Sequence, residues 1–198
     1  PRYFYRVIDE ELIWGPLATG LVITIEISLY SMLLTLVLGL LTALLRMSSS
    51  LSGQVLARVY LETIRNTPML VQIYVFYFVI APVLGIDRFW TGVLCLGLFE
   101  GSFASEIIRA GINSVPRGQW EAASSVGLSR FSSYRYVVLP QAIPLMLPPM
   151  TGVLINLIRH SAIVSVIAVF ELTTEGRNII ADTYMAFEVW LTVAGIYL

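Results

Sequence analysis

The 198-residue sequence contains no lysine; its twelve basic residues are all arginine, set against thirteen acids for a formal net charge of -1. A balance this close to neutral excludes the basic footprint of a nucleic-acid-binding protein. Cysteine occurs once, at Cys95 inside an apolar run, which excludes a disulfide framework and reads as a small buried or lipid-facing hydrophobe. The single His160 and the scattered acids show no metal-ligand spacing. A Gly-rich phosphate-cradling loop is missing too. No secretory signal peptide is visible, and the chain, opening at Pro1 and stopping within an apolar run at Leu198, reads as a trimmed piece of a longer polypeptide. Charge of any sign is scarce: 13% of residues, against about 25% in soluble domains.

What the sequence has instead is apolar length. Hydrophobic residues make up 57% and mean hydropathy is +0.81, which places the chain in a bilayer as an all-α integral membrane protein. Apolar runs predict spans at 17–45, 69–84, 90–112 and 136–158, with the start of a fifth from 186 to 198, all within one domain covering 1–198. A bend or helix boundary is expected at Pro68. Prolines at 140, 144, 148 and 149 are expected to break the fourth span and free backbone carbonyls. Irregular backbone at membrane depth is tolerated only where protein buries it or where it lines a water-filled path. The first residues mix Arg2, Arg6, Asp9, Glu10 and Glu11 with Tyr3 and Trp14, aromatics suited to the membrane interface. Arg46, Arg58, Arg65, Arg117, Arg130 and Arg135 fall in the loops at 46–66 and 113–135, whereas segment 171–188 holds one arginine against four acids. By the positive-inside rule the two Arg-rich loops are cytoplasmic and the N-terminus is outside.

Between the third and fourth spans lies a polar island, Gln119-Trp120-Glu121-Ala122-Ala123-Ser124-Ser125-Val126-Gly127-Leu128. Pro116 marks a helix start and Gly127 a helix end, giving a helix of about 15 Å at 1.5 Å per residue. Such a helix is either gripped by a partner in the adjoining water or left as an interfacial loop helix, and local features leave both open. Ionisable groups inside spans face a bundle interior, a cavity or one another. Glu106 and Arg109 are three apart on one helix face and can pair. Glu100 sits nearer mid-span beside Gly101, Ser102 and Ser105, small residues that permit close packing or a cavity. Asn156, Arg159, His160 and Ser161 supply polar groups near the outer half, although Arg159 and His160 read equally as markers of the membrane boundary.

The island has a recognisable extension. It reads Glu121-Ala122-Ala123, three residues, Gly127, nine residues, Val137, one residue, Leu139-Pro140. This resembles the EAA signature of the membrane subunits of bacterial ABC importers, Glu-Ala-Ala-x3-Gly-x9-Ile-x-Leu-Pro, with Val137 in place of the isoleucine. Further stretches are similar to the polar amino acid branch (histidine, glutamine and arginine permeases): Glu62-Thr63-Ile64-Arg65-Asn66-Thr67-Pro68-Met69-Leu70-Val71-Gln72, Glu106-Ile107-Ile108-Arg109-Ala110-Gly111-Ile112, Val115-Pro116-Arg117-Gly118-Gln119-Trp120, and Leu139-Pro140-Gln141-Ala142. The resemblance runs from about Gly20 to Leu198.

It implies a type I importer permease (MetI-like) bundle with about five transmembrane helices, in the bacterial inner membrane. The implied partners are a second permease subunit in a homo- or heterodimer, two ATPase subunits and a periplasmic or tethered amino-acid-binding protein, with lipid around them. Helix 117–127 would be the coupling helix, using Gln119, Trp120, Glu121, Ala122, Ala123, Gly127 and Leu128 to dock in a cleft of the ATPase. ATP and Mg would sit on that partner, and this chain would be no enzyme by itself and bind no cofactor. Polar amino acids would pass by alternating access along a path to which Glu100, Ser102, Asn156, Arg159, His160 and Ser161 are candidate contributors. Two departures matter. Where many relatives read Lys-Asp-(Ser or Thr)-Ser-Leu, this chain has Arg159-His160-Ser161-Ala162-Ile163, so no cationic cargo follows from that position. Glu100 stands where small polar residues are common. Carriage of another small solute is the alternative within transport. A channel leaves the island helix unexplained, and a membrane-embedded enzyme using Glu100 and His160 lacks a nucleophile at recognisable spacing.

Overall fold

The computed structural model describes residues 5–8 and 11–198. Tyr3, assigned above to the membrane interface, and the charged Arg2, Asp9 and Glu10 lie outside the described residues. The backbone begins with a short antiparallel hairpin, β1 (Tyr5–Ile8) and β2 (Glu11–Trp14), paired from Tyr5 with Trp14 to Ile8 with Glu11. From there the chain is helical: α1 (Pro16–Met47), α2 (Leu51–Arg65), α3 (Met69–Leu84), α4 (Arg88–Asn113), α5 (Arg117–Ser125), α6 (Arg130–Ile167), α7 (Leu172–Thr183) and α8 (Ala186–Tyr197). By length and composition α1, α4 and α6 can each cross a bilayer, whereas α2 and α3, separated by a break at Asn66-Thr67-Pro68, are apolar enough only when taken together, as a broken span or a re-entrant segment. The break follows from Pro68, which bars helical geometry at Thr67 and becomes the N-cap of α3. Helix α8 is a shorter apolar helix of twelve residues.

The prolines do not break α6. Pro144, Pro148 and Pro149 all lie inside its α-helical part, Leu139–His160. The irregularity sits at the ends instead, as a π-helical turn over Tyr134–Val138 and a 3-10 segment over Ser161–Ile167. The π turn has a local cause. The amide of Leu139, just before Pro140, bonds back to the carbonyl of Tyr134 five residues earlier. The wider turn relieves the clash a proline ring makes with the carbonyl four residues before it. The same device recurs in α3, where a π turn over Phe76–Ile80 precedes Pro82 and the amide of Ala81 reaches the carbonyl of Phe76.

The chain forms two compact units, one of residues 1–34, 67–97 and 156–198, the other of 35–66 and 98–155. In the first, Leu17, Leu172, Ile179, Val189 and Val193 form one cluster of the core. Glu171, fully buried, caps α7 by accepting the amides of Thr173 and Thr174 at 2.8 Å each, and accepts the Tyr197 hydroxyl at 3.0 Å. The Thr24 hydroxyl accepts the amide of Leu172 at 3.2 Å, tying α1 to the start of α7. Cys95 is fully buried here.

In the second unit, Ala43, Ile108, Ile112, Val115, Val138, Ala142 and Met146 form one cluster of the core. Helices α1 and α4 touch at Gly39, where an added Cβ would stand 2.9 Å from the Ala104 Cβ and 3.2 Å from the Ser105 amide nitrogen. Two of those neighbours' atoms belong to or adjoin backbone, so neither side can yield cheaply. Gly39→Val is therefore expected to cost about 2–3 kcal/mol through overpacking. A melting temperature of the detergent-solubilised protein equal to that of the parent would refute the close contact.

Candidate functional site

Helix α5 is short, and its sequence explains both ends. Pro116 takes the N-cap position without a side-chain cap, and the helix starts one residue later, at Arg117. At the C-terminus the amide of Gly127 bonds the Ser124 carbonyl at 3.0 Å and that of Leu128 bonds the Ala123 carbonyl at 3.1 Å. That pair of bonds is the Schellman motif, and it requires the left-handed conformation that Gly127 adopts at φ +76°. A Cβ on Gly127 would meet nothing within 4 Å, so backbone conformation rather than space fixes the glycine.

One side of α5 is committed to its own unit. The Trp120 ring meets Tyr134 of α6 edge-on, with centroids 4.9 Å apart and planes at 81°. Ala123 is 3% exposed and packs inward. The Gln141 amide donates to the Gln119 Oε1 at 3.3 Å and to the Val137 carbonyl at 2.7 Å. The other side is open: Glu121, Ala122, Ser124 and Ser125 are exposed, and Val126 is 75% exposed. The Ser124 and Ser125 hydroxyls bond back to the carbonyls of Trp120 and Glu121, which leaves a low, nearly featureless face with one projecting carboxylate. Of the two alanines in the signature, Ala122 belongs to that face and Ala123 to the core. Tyr134 and Gln141 fix how the helix is presented, and neither could be singled out from linear sequence, because each acts across the loop.

Within the same unit Glu106 gathers three arginines from three helices. Arg109 donates from Nε at 3.1 Å and from its terminal nitrogen at 2.9 Å, as the spacing predicted. Arg46 at the end of α1 makes a close ion pair with the same carboxylate, and Arg65 at the end of α2 approaches to 3.5 Å. Arg65 also holds the Ser102 carbonyl, sits 3.4 Å from the Ser102 hydroxyl and lies over the Phe103 ring at 5.0 Å. No spacing rule connects residues 46, 65 and 106, so this cluster was out of reach of the sequence.

The residues assigned to a solute path fall into different units. Glu100 and Ser102 lie on α4 in the second unit, 1% and 0% exposed. The Ser102 hydroxyl turns back to the Phe99 carbonyl at 2.7 Å. Packing is tight at this level, since a Cβ on the adjacent Gly101 would come 3.1 Å from Leu38 and 3.2 Å from the Tyr60 hydroxyl. Asn156, Arg159, His160 and Ser161 lie on α6 in the first unit. Asn156 and Arg159 are exposed and His160 half-buried, while Ser161 is fully buried and bonds the Ile158 carbonyl at 2.7 Å.

Comparison with known proteins gives a consistent result. Residues 35–198 match the family described as binding-protein-dependent transport system inner membrane component. The glutamine transport system permease protein GlnP of Escherichia coli (strain K12) is 37% identical over 196 residues, covering 96% of this chain and 90% of that protein. The L-cystine transport system permease protein TcyB of Bacillus subtilis (strain 168) is 37% identical over 171 residues, covering 86% and 73%. A crystal structure of an amino acid ABC transporter with histidines superposes with a TM-score of 0.83 at 38% identity, over 92% of this chain and 86% of that one. An inward-facing MetNI methionine ABC transporter, at 20% identity and a TM-score of 0.74 over 91% and 87%, shares the fold.

Proposed function

This chain belongs to the binding-protein-dependent transport system inner membrane components, the permease subunits of ABC importers, and from that premise we propose that its cargo is a polar amino acid and that ATP-derived force enters through α5. The chain is a transport component, and ATP is hydrolysed by a separate partner subunit. The observation that carries the proposal is the open face of α5: small side chains with Glu121 projecting from a helix whose opposite side is locked to α6. A rigidly held helix transmits a push, whereas a loose loop helix would absorb it.

In this reading the Arg-rich loops face the cytoplasm, the N-terminus lies outside, and two ATPase subunits carrying ATP and Mg grip α5 of this chain and of a second permease subunit. Closure of the ATPase pair drags the two α5 helices together and rocks the permeases from inward- to outward-facing. A periplasmic or tethered binding protein delivers the amino acid on the far side. Glutamine and cystine are named for two relatives, and the α-amino and α-carboxyl groups common to all amino acids are the chemistry any shared path must meet.

Ligand-stimulated ATPase activity of the reconstituted complex, measured across a panel of amino acids, tests the proposal. Stimulation by one or more polar members is the expected result; stimulation by none, with another small solute active, overturns the cargo assignment. Glu100, a carboxylate at mid-span that is buried in this structure, is proposed as the group that meets the cargo's ammonium when the permease rocks into another state. Glu100→Gln is then expected to raise the KM for uptake about tenfold, the equivalent of about 1.4 kcal/mol, with assembly intact. Unchanged uptake kinetics for every amino acid tested would remove Glu100 from the path.

A further inference from the structure

Helix α2 is divided lengthwise into three stripes. Gly53, Ala57, Leu61 and Ile64 are buried. Leu51, Val55, Leu56 and Val59 are 51–76% exposed. Between these lies a polar stripe of Gln54, Arg58, Glu62 and Arg65, spaced by four, four and three residues so that all share one face. The polar stripe borders a cavity of about 360 Å³ that Arg46 and Glu106 also line. Glu106 is already engaged by Arg46, Arg65 and Arg109. Arg58 makes no ion pair or hydrogen bond with any described residue. Counting Arg109, four guanidinium groups stand against the two carboxylates of Glu62 and Glu106.

We propose that this cavity takes the phosphate of an anionic phospholipid, held by Arg58 and its neighbour Arg65, with the acyl chains laid along Leu51, Val55, Leu56 and Val59. An arginine fork matches a phosphate bidentately, and the positive excess supplies the complementary charge. The apolar stripe beside the polar one decides between two sources of phosphate. A free anion has no use for an apolar flank, whereas a lipid needs both a cationic socket and a hydrocarbon shoulder. A zwitterionic lipid brings its own cation toward the same arginines and fits less well.

The test is native mass spectrometry of the assembled importer complex taken from vesicles of equal parts phosphatidylglycerol and phosphatidylcholine. The parent is expected to retain phosphatidylglycerol selectively. Arg58→Gln is expected to lower that retention about fivefold, the equivalent of about 1 kcal/mol per cation near an anionic surface, and Arg58→Lys to restore most of it. Equal retention of both lipids by the parent, or undiminished retention by Arg58→Gln, overturns the proposal. Displacement of the lipid by inorganic phosphate at low concentration assigns the cavity to a free anion instead and overturns it as well. Should Arg58→Gln fail to assemble, Val55→Glu places a carboxylate beside the cavity without removing an arginine. It must also lower retention, and unchanged retention there is equally fatal.

Discussion

Glu121→Arg is expected to strip the ATPase subunits from this permease and to reduce ATP-dependent uptake at least about thirtyfold. The side chain is exposed and has no ion-pair partner among the described residues, so the substitution leaves the fold alone. Surface changes of that kind fall within about 0.5 kcal/mol in stability. At an interface the same change replaces an attraction with a repulsion. Losing one member of a desolvated charge pair costs about 2–5 kcal/mol, and each 1.4 kcal/mol is tenfold in affinity. Co-purification with the ATPase and uptake into vesicles read the two consequences separately. Glu121→Gln removes the charge without reversing it and should fall between. If Glu121→Arg retains both ATPase binding and uptake, α5 is not where the ATPase docks.

The second large effect belongs to Glu106. Replacing it with alanine removes the one carboxylate that Arg46, Arg65 and Arg109 all pair with. Breaking a fully buried pair costs about 3–5 kcal/mol, but the Glu106 side chain is 32% exposed, which reduces the expectation to about 2–3 kcal/mol. For a protein of this length that is a fall in melting temperature of about 5–10 °C. The cluster joins the ends of α1 and α2 to α4, so the loss should be cooperative across that unit rather than local. Pairing Glu106→Ala with Arg46→Ala ought to recover part of the loss by relieving the repulsion. A single variant as stable as the parent would mean that the three arginines are individually solvated and hold nothing together.

The helical fold and the family were legible because both are written in local patterns. Apolar runs of bilayer length, Pro68 at a boundary and the spacing from Glu121 through Gly127 to Leu139-Pro140 need no tertiary information. The Glu106–Arg109 pair was equally visible, being three residues apart on one helix. Arg46 and Arg65 were not, since their meeting with Glu106 depends on how α1, α2 and α4 pack. The prolines of α6 misled for a related reason. Each removes a donor and threatens a clash, but the backbone resolved the first clash by widening a turn ahead of Pro140 and stayed helical beyond it. Ala123 shows the limit of a motif: the signature marks the helix, while burial decides which of its two alanines looks outward.

The π turn before Pro140 bears on more than the proline. A π turn holds one residue more than an α path through the same rise, and one residue corresponds to about 100° of rotation about the helix axis. Everything N-terminal to Val138, Tyr134 included, is therefore set about a quarter-turn away from where an unbroken α-helix would place it. Because Tyr134 is the surface on which Trp120 rests, the azimuth at which α5 is held is fixed by a single inserted residue in a neighbouring helix. Presentation of the Glu121 face is a matter of phase, and Pro140, by keeping that extra residue in place, acts as the key that locks it.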